Sequence, residues 1–106
     1  MKSIGSLVAA AIVGVTVIQS AFAADPAEGK KLADKTCQAC HGINGVGIAD
    51  MYPNLAGQKA AYLEAQLKAF RDGTRQNPIM APMAKQLTDT EIANVAAYYA
   101  SLNPNQ

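Results

Sequence analysis

Apolar residues return at helical spacing along most of the chain, and no stretch shows the alternation of a convincing strand. Leu63, Leu67 and Phe70 fall on one face of a helix expected over residues 59–71, with Tyr62 and Gln66 at its edge and Gly73 as its end. Ile92, Val95, Ala96, Tyr99 and Leu102 follow the same spacing. Thr88-Asp89-Thr90-Glu91 precedes them as a capping box, and Asn103-Pro104 stops the run. An earlier helix should begin at Asp25-Pro26-Ala27-Glu28 and run to about Lys35. There Asp25 caps, Pro26 suits the first helical position, and Glu28 can reach back to the cap. Residues 42–58, rich in glycine and holding Pro53 and Asn54, read as a loop wrapped around something. Residues 74–87, with Pro78 and Pro82, read as extended or irregular. The pattern is all-α, with two long loops and no repeat.

The first residues do not belong to that domain. Lys2 supplies a short positive region, residues 4–18 are apolar and uncharged, and Ala21-Phe22-Ala23 gives a small-x-small cleavage pattern. Residues 1–23 therefore read as a secretory signal peptide and residues 24–106 as the functional domain, exported to the periplasm. The apolar run falls short of the ~20 residues that span a bilayer, so no stable membrane anchor is expected. Lys2 is one of nine basic residues against eight acidic ones, so residues 24–106 are formally neutral. A neutral domain lacks the dense cationic surface that nucleic acid requires. The hydrophobic fraction of 50% is inflated by the leader and by alanine. A domain this small with few large apolar side chains needs a staple or a bound apolar group to be stable.

The chemistry concentrates in Cys37-Gln38-Ala39-Cys40-His41, which hold both cysteines and the one histidine of the chain. C-x-x-C-H is the spacing of covalent haem attachment, with two thioethers to the vinyl groups and the histidine above the iron. One turn of helix can present both sulfurs along one haem edge. Three other readings compete. A thioredoxin-like redox pair needs a strand before the motif. A zinc site needs a fourth ligand, and no further Cys or His exists. A plain disulfide would explain neither His41 nor the glycine loop. A lone histidine also excludes bis-histidine ligation, so the sixth position is filled by another residue or is open.

With these residues in view, the chain resembles the class I c-type cytochromes, and most closely one half of the bacterial dihaem cytochromes c and the small monohaem periplasmic ones. The resemblance rests on five ordered stretches. They are residues 37–42; Tyr52-Pro53-Asn54-Leu55-Ala56-Gly57-Gln58; Phe70-Arg71-Asp72-Gly73-Thr74-Arg75; residues 80–87; and Ala97-Tyr98-Tyr99. It implies about four helices around one covalent haem c. It implies that Gly29 lets the first helix cross the last one closely, against Tyr98. It implies that the Pro53 carbonyl accepts the other ring N–H of His41, and that Leu55 packs on the haem face. Arg75 is divided between holding a haem propionate and a solvated position. The pattern M-x-x-M/I-A-x-x-L places the sixth ligand at Met80, with Met83 the alternative; Met51 lies on the proximal loop. A thioether there is a soft ligand that favours ferrous iron.

The function these expectations imply is a monomeric, diffusible carrier of single electrons between redox proteins, and not an enzyme. Residues 24–106 hold one serine, Ser101, and no acid–base or nucleophile set beyond the motif. The rival classes are a haem enzyme or gas sensor, which needs an open sixth position, and a fixed subunit of a larger complex.

Overall fold

The computed structural model describes residues 23–105 together with Gly5 and Gly14. Apart from Gly5, Gly14 and Ala23, the expected signal peptide of residues 1–23 lies outside the described residues. Among those described, every regular element is helical. Helix α1 spans Pro26–Leu32, a π-helical turn spans Ala33–Cys37, and α2 spans Gln38–His41. Then follow α3 (Ala60–Asp72), α4 (Met80–Lys85) and α5 (Asp89–Ser101). The backbone stays right-handed helical through Leu32 and Gln38, so the first three segments form one continuous rod. The described chain thus has four helical bodies, as the resemblance implied.

Each start has a local cause. The Asp25 side chain accepts from the Ala27 and Glu28 N–H groups at 2.9 and 3.3 Å, and Pro26 fills the first helical position. Glu28 does not reach back to the cap. Its carboxylate pairs with Lys31, and the Asp25 N–H donates instead to the buried Asn94 Oδ1 at 2.8 Å, tying the start of α1 to α5. At α5 the capping box is complete: Thr88 Oγ1 accepts from the Glu91 N–H, and Glu91 Oε1 accepts from the Thr88 N–H, both at 3.1 Å.

Two elements differ from the sequence expectation. The first rod runs on to His41 rather than ending near Lys35, because one wide π turn carries it through the cysteine motif. Residues 80–85 are helical rather than irregular. There the Asn77 Oδ1 accepts from both the Ile79 and the Met80 N–H at 2.9 Å and so starts the turn. Pro82 occupies the third helical position, where a backbone N–H would have no intrahelical partner to lose. Ala84, fully buried, fixes α4 in the packing.

The core lies where α1 crosses α5. Ala33, Leu63, Val95, Ala96, Tyr98 and Tyr99 form it, with Leu32, Cys37, Leu55, Leu67 and Leu102 packed at its margin. At the crossing Gly29 is buried, and a Cβ there would run into the Asn94 carbonyl and meet the Tyr98 Cβ at 3.0 Å. A residue without a side chain is what lets α1 and α5 come this close.

Candidate functional site

The cysteine motif sits at the end of the first rod. The π turn delivers Cys37 at its last position, and α2 carries Cys40 and His41 one turn further. Such wide turns often accompany functional positions in a helix. Both cysteines are half-buried and unpaired. Burial pushes the Cys37 thiol up.

His41 is only 6% exposed. Its Nδ1 lies 2.9 Å from the Pro53 carbonyl oxygen. A carbonyl can only accept, so Nδ1 carries the proton and donates it. That fixes the tautomer and leaves the Nε2 lone pair free to bind a metal. The loop that supplies Pro53 is cross-tied to the motif. Gly42 leaves the rod with φ +79° directly against the Val46 carbonyl, a turn that a side chain would block. The Ile48 N–H donates to the Cys40 carbonyl at 3.1 Å, and the Gly47 N–H donates to Asn54 Oδ1 at 2.8 Å. Leu55 and Ala56 both donate to the Gly45 carbonyl, at 2.7 and 3.0 Å. Further on, the Gly57 N–H reaches the Tyr99 carbonyl at 2.9 Å, so the loop is anchored to α5 as well. The structure therefore brings Cys37, Cys40, His41 and Pro53 together. Leu55 is half-buried at the edge of the core.

The methionines are on the other long segment. Met80 opens α4 and Met83 follows one turn later; both are half-buried. Residues three apart on a helix share a face. Met51, by contrast, is 69% exposed. Arg75 packs back on α3: its guanidinium lies 4.5 Å over the Phe70 ring and its Nη1 donates to Gln66 Oε1 at 2.7 Å.

Three further features were not visible in the sequence. The Tyr99 hydroxyl is fully buried and has no hydrogen-bond partner, and burial raises its pKa. Tyr52 lies beside Cys40, which pushes its phenol up. Arg71 joins α3 to the start of α5. None of the three has a short-range signal: Tyr52 and Arg71 meet partners at least twelve positions away, and the burial of Tyr99 comes from the packing of separate helices.

The residues fit a covalent haem. Two unpaired thiols on one helical turn face the attachment chemistry. A histidine of fixed tautomer presents Nε2. Large apolar side chains stay uncovered on the two segments beside the site, with Ile43 67%, Ile48 65% and Ile79 43% exposed. Among the described residues the largest fully buried side chains are Tyr99 and Ile92, and the polypeptide alone supplies a thin core. Among the described residues, no three His, Cys, Asp or Glu side chains converge to hold a bare metal ion, which removes the zinc reading.

Comparisons agree with this geometry. The family model described as cytochrome c matches residues 26–103. Cytochrome c-554(548) of Halomonas halodenitrificans is 55% identical over 69 residues, which is 62% of this chain and 83% of that protein. The thiosulfate dehydrogenase electron acceptor of Stutzerimonas stutzeri is 44% identical over 73 residues, covering 66% of this chain and 34% of that one. The solved cytochrome c4 of Acidithiobacillus ferrooxidans superposes with a TM-score of 0.71 at 37% identity, covering 79% of this chain and 54% of that chain. The chain thus spans about half the solved cytochrome c4, and a third of the electron acceptor.

Proposed function

Because this chain belongs to the cytochrome c family, a family of electron-transfer proteins that carry covalent haem c, we propose that it is a monomeric periplasmic carrier with His41 and Met80 as axial ligands. In this reading residues 1–23 are a cleaved signal peptide and residues 24–106 the haem domain. Cys37 and Cys40 hold the haem as thioethers, Pro53 orients His41, and Leu55 packs on the haem. When bound, the haem supplies an iron that gains and loses one electron.

The observation that carries the reading is the Nδ1–H···O bond from His41 to Pro53 at 2.9 Å. It holds the imidazole in one tautomer and at one ring angle, so the ligand does not reorganise as the iron changes charge. Met80 supports the second ligand by its place. Its backbone N–H is held by Asn77, it is half-buried, and its thioether is a soft donor that favours ferrous iron. Were His41 and Met80 both to hold the haem iron, no position would be left for a substrate, which would separate a carrier from a haem enzyme.

The partners in this reading are redox proteins. The name of the Stutzerimonas relative makes a thiosulfate dehydrogenase the first donor to assay. The deciding experiment is the visible spectrum of the ferric protein, in which a weak band near the red end marks sulfur-to-iron charge transfer. Its absence, with a high-spin spectrum, would overturn the carrier reading in favour of an open site. Mass spectrometry of the exported protein tests the cleavage after Ala23.

A further inference from the structure

Helix α3 grips both ends of the segment that carries Met80 and Met83. At the entry, Thr74 Oγ1 and the Arg75 N–H donate to the Ala69 carbonyl at 3.3 and 3.1 Å, and Arg75 stacks on Phe70 and bonds Gln66. At the exit, Ala84 is buried and the Leu87 N–H donates to the Ala84 carbonyl at 3.0 Å, and one side chain of α3 adds a tie from further along the chain. Arg71 Nη1 lies 2.7 Å from Asp89 Oδ1, at the first position of α5, and 3.4 Å from the Leu87 carbonyl. Its Nε contacts Asp72 Oδ1 at 3.4 Å. The side chain is 25% exposed while that of Asp89 is 74% exposed, so the arginine is the embedded partner and the aspartate closes over it. Between the two grips, residues 76–79 are exposed.

We propose that Arg71 is a positioning residue for the axial methionine: it ties the end of α3 to Leu87 and Asp89, so that the methionine leaves the iron more readily when this clamp is lost. The inference rests on the reading of Met80 as the sixth ligand. A sulfur on a half-exposed segment is a labile ligand unless its backbone is pinned on both sides. The entry is pinned mainly by backbone and neighbouring contacts within one stretch of chain. The exit depends on a contact between residues sixteen and eighteen positions apart. Arginine suits the task because Nη1 reaches the Leu87 carbonyl and the Asp89 carboxylate while Nε of the same planar group meets Asp72, a spread that the point charge of a lysine lacks.

The test is an imidazole titration of the ferric holoprotein, followed by loss of the red charge-transfer band. Imidazole competes with the methionine, so its apparent affinity reads how readily the sulfur leaves. Arg71→Gln should bind imidazole about 1.5-fold to fivefold more tightly, the range set by an ion pair with an exposed carboxylate, and Asp89→Asn should act in the same direction. Ala65→Gly, which weakens an exposed turn of α3 away from the clamp, should leave the affinity unchanged. In a Met80→Ala background, which should itself bind imidazole far more tightly than the parent, Arg71→Gln should have no further effect. Unchanged affinity in Arg71→Gln overturns the clamp, as does an equal gain in Ala65→Gly or an effect that persists without Met80. If Met80→Ala binds imidazole no more tightly than the parent, the ligand reading fails instead. The clamp is then decided by whether the Arg71→Gln effect vanishes in Met83→Ala.

Discussion

Replacing Gly29 with alanine sets two opposed effects against each other, and the structure decides the sign. In a free helix the change is favourable by about 1 kcal/mol, because alanine is the better helix former. Here the new Cβ would fall on the Asn94 carbonyl and at 3.0 Å from the Tyr98 Cβ. The obstacle is mainly the backbone of α5, which cannot rotate away as a side chain can. The two helices must part, and overpacking of this kind costs about 1–3 kcal/mol or more. Parting also strains the bond from the Asp25 N–H to Asn94 Oδ1, which is 2.8 Å long and contributes about 1 kcal/mol. After the helix gain is subtracted, Gly29→Ala should destabilise the holoprotein by about 2 kcal/mol. Denaturant unfolding followed by far-UV circular dichroism and the haem Soret band measures this. The paired control is Ala65→Gly at an exposed position inside α3, which should cost about 1 kcal/mol from propensity alone. A Gly29→Ala protein as stable as the parent, or more so, would mean that propensity governs Gly29 and that the close crossing is not what holds α1 on α5.

Other consequences can be checked by single measurements. Met80→Ala should abolish the red charge-transfer band while the haem stays attached, and Met83→Ala should retain it; the reverse pattern moves the ligand to Met83. Cys37→Ser with Cys40→Ser should leave a largely unfolded chain by circular dichroism, since among the described residues few large side chains beyond Tyr99 and Ile92 are fully covered by the polypeptide; a cooperative thermal transition in that double variant refutes the dependence on haem. Asp89 is held below its usual 3.8 by Arg71, so the stability it contributes is complete above that value and is lost as pH falls through its lower folded value. Asp89→Asn should therefore flatten the acid limb of the unfolding midpoint against pH, and an unchanged limb refutes the pairing in solution. Electron transfer with a redox partner should change little with ionic strength, because residues 24–106 are neutral and exposed Ile43, Ile48 and Ile79 flank the site. A steep fall in stopped-flow rate with added salt would show that charge guides the encounter.

What the sequence discloses here follows the range over which each interaction acts. The cap at Asp25, the box at Thr88 and Glu91, and the helical spacing from Leu63 to Phe70 all depend on residues within one or two turns, and all appear in the fold. The motif at Cys37, Cys40 and His41 is likewise local, and its spacing alone implies the attachment chemistry. Glu28 shows the limit of local reasoning: two acceptors competed for the Asp25 N–H, and the distant Asn94 won because α5 brings it there. The π turn has no signature in residues 33–37; it starts at buried Ala33 and ends at Cys37, and neither feature is readable from its five residues.

The segment from Asn77 to Leu87 is the most instructive failure of pattern reading. Pro78 and Pro82 read as breakers, yet a helix forms between them and includes the second. Proline damages a helix by removing a donor and by clashing with the carbonyl four residues earlier. At the third position the donor has no partner to lose, and the clash is relieved because Pro78 still lies outside the helix. Asn77 then supplies the two bonds that start the turn. The prolines therefore stiffen the approach to Met80 and the first turn of α4. This places Met80 and Met83 on a short helix, with the contacts of Arg75 before it and those of Arg71 after it, which in the proposed His/Met reading would hold the ligand sulfur better than a flexible loop.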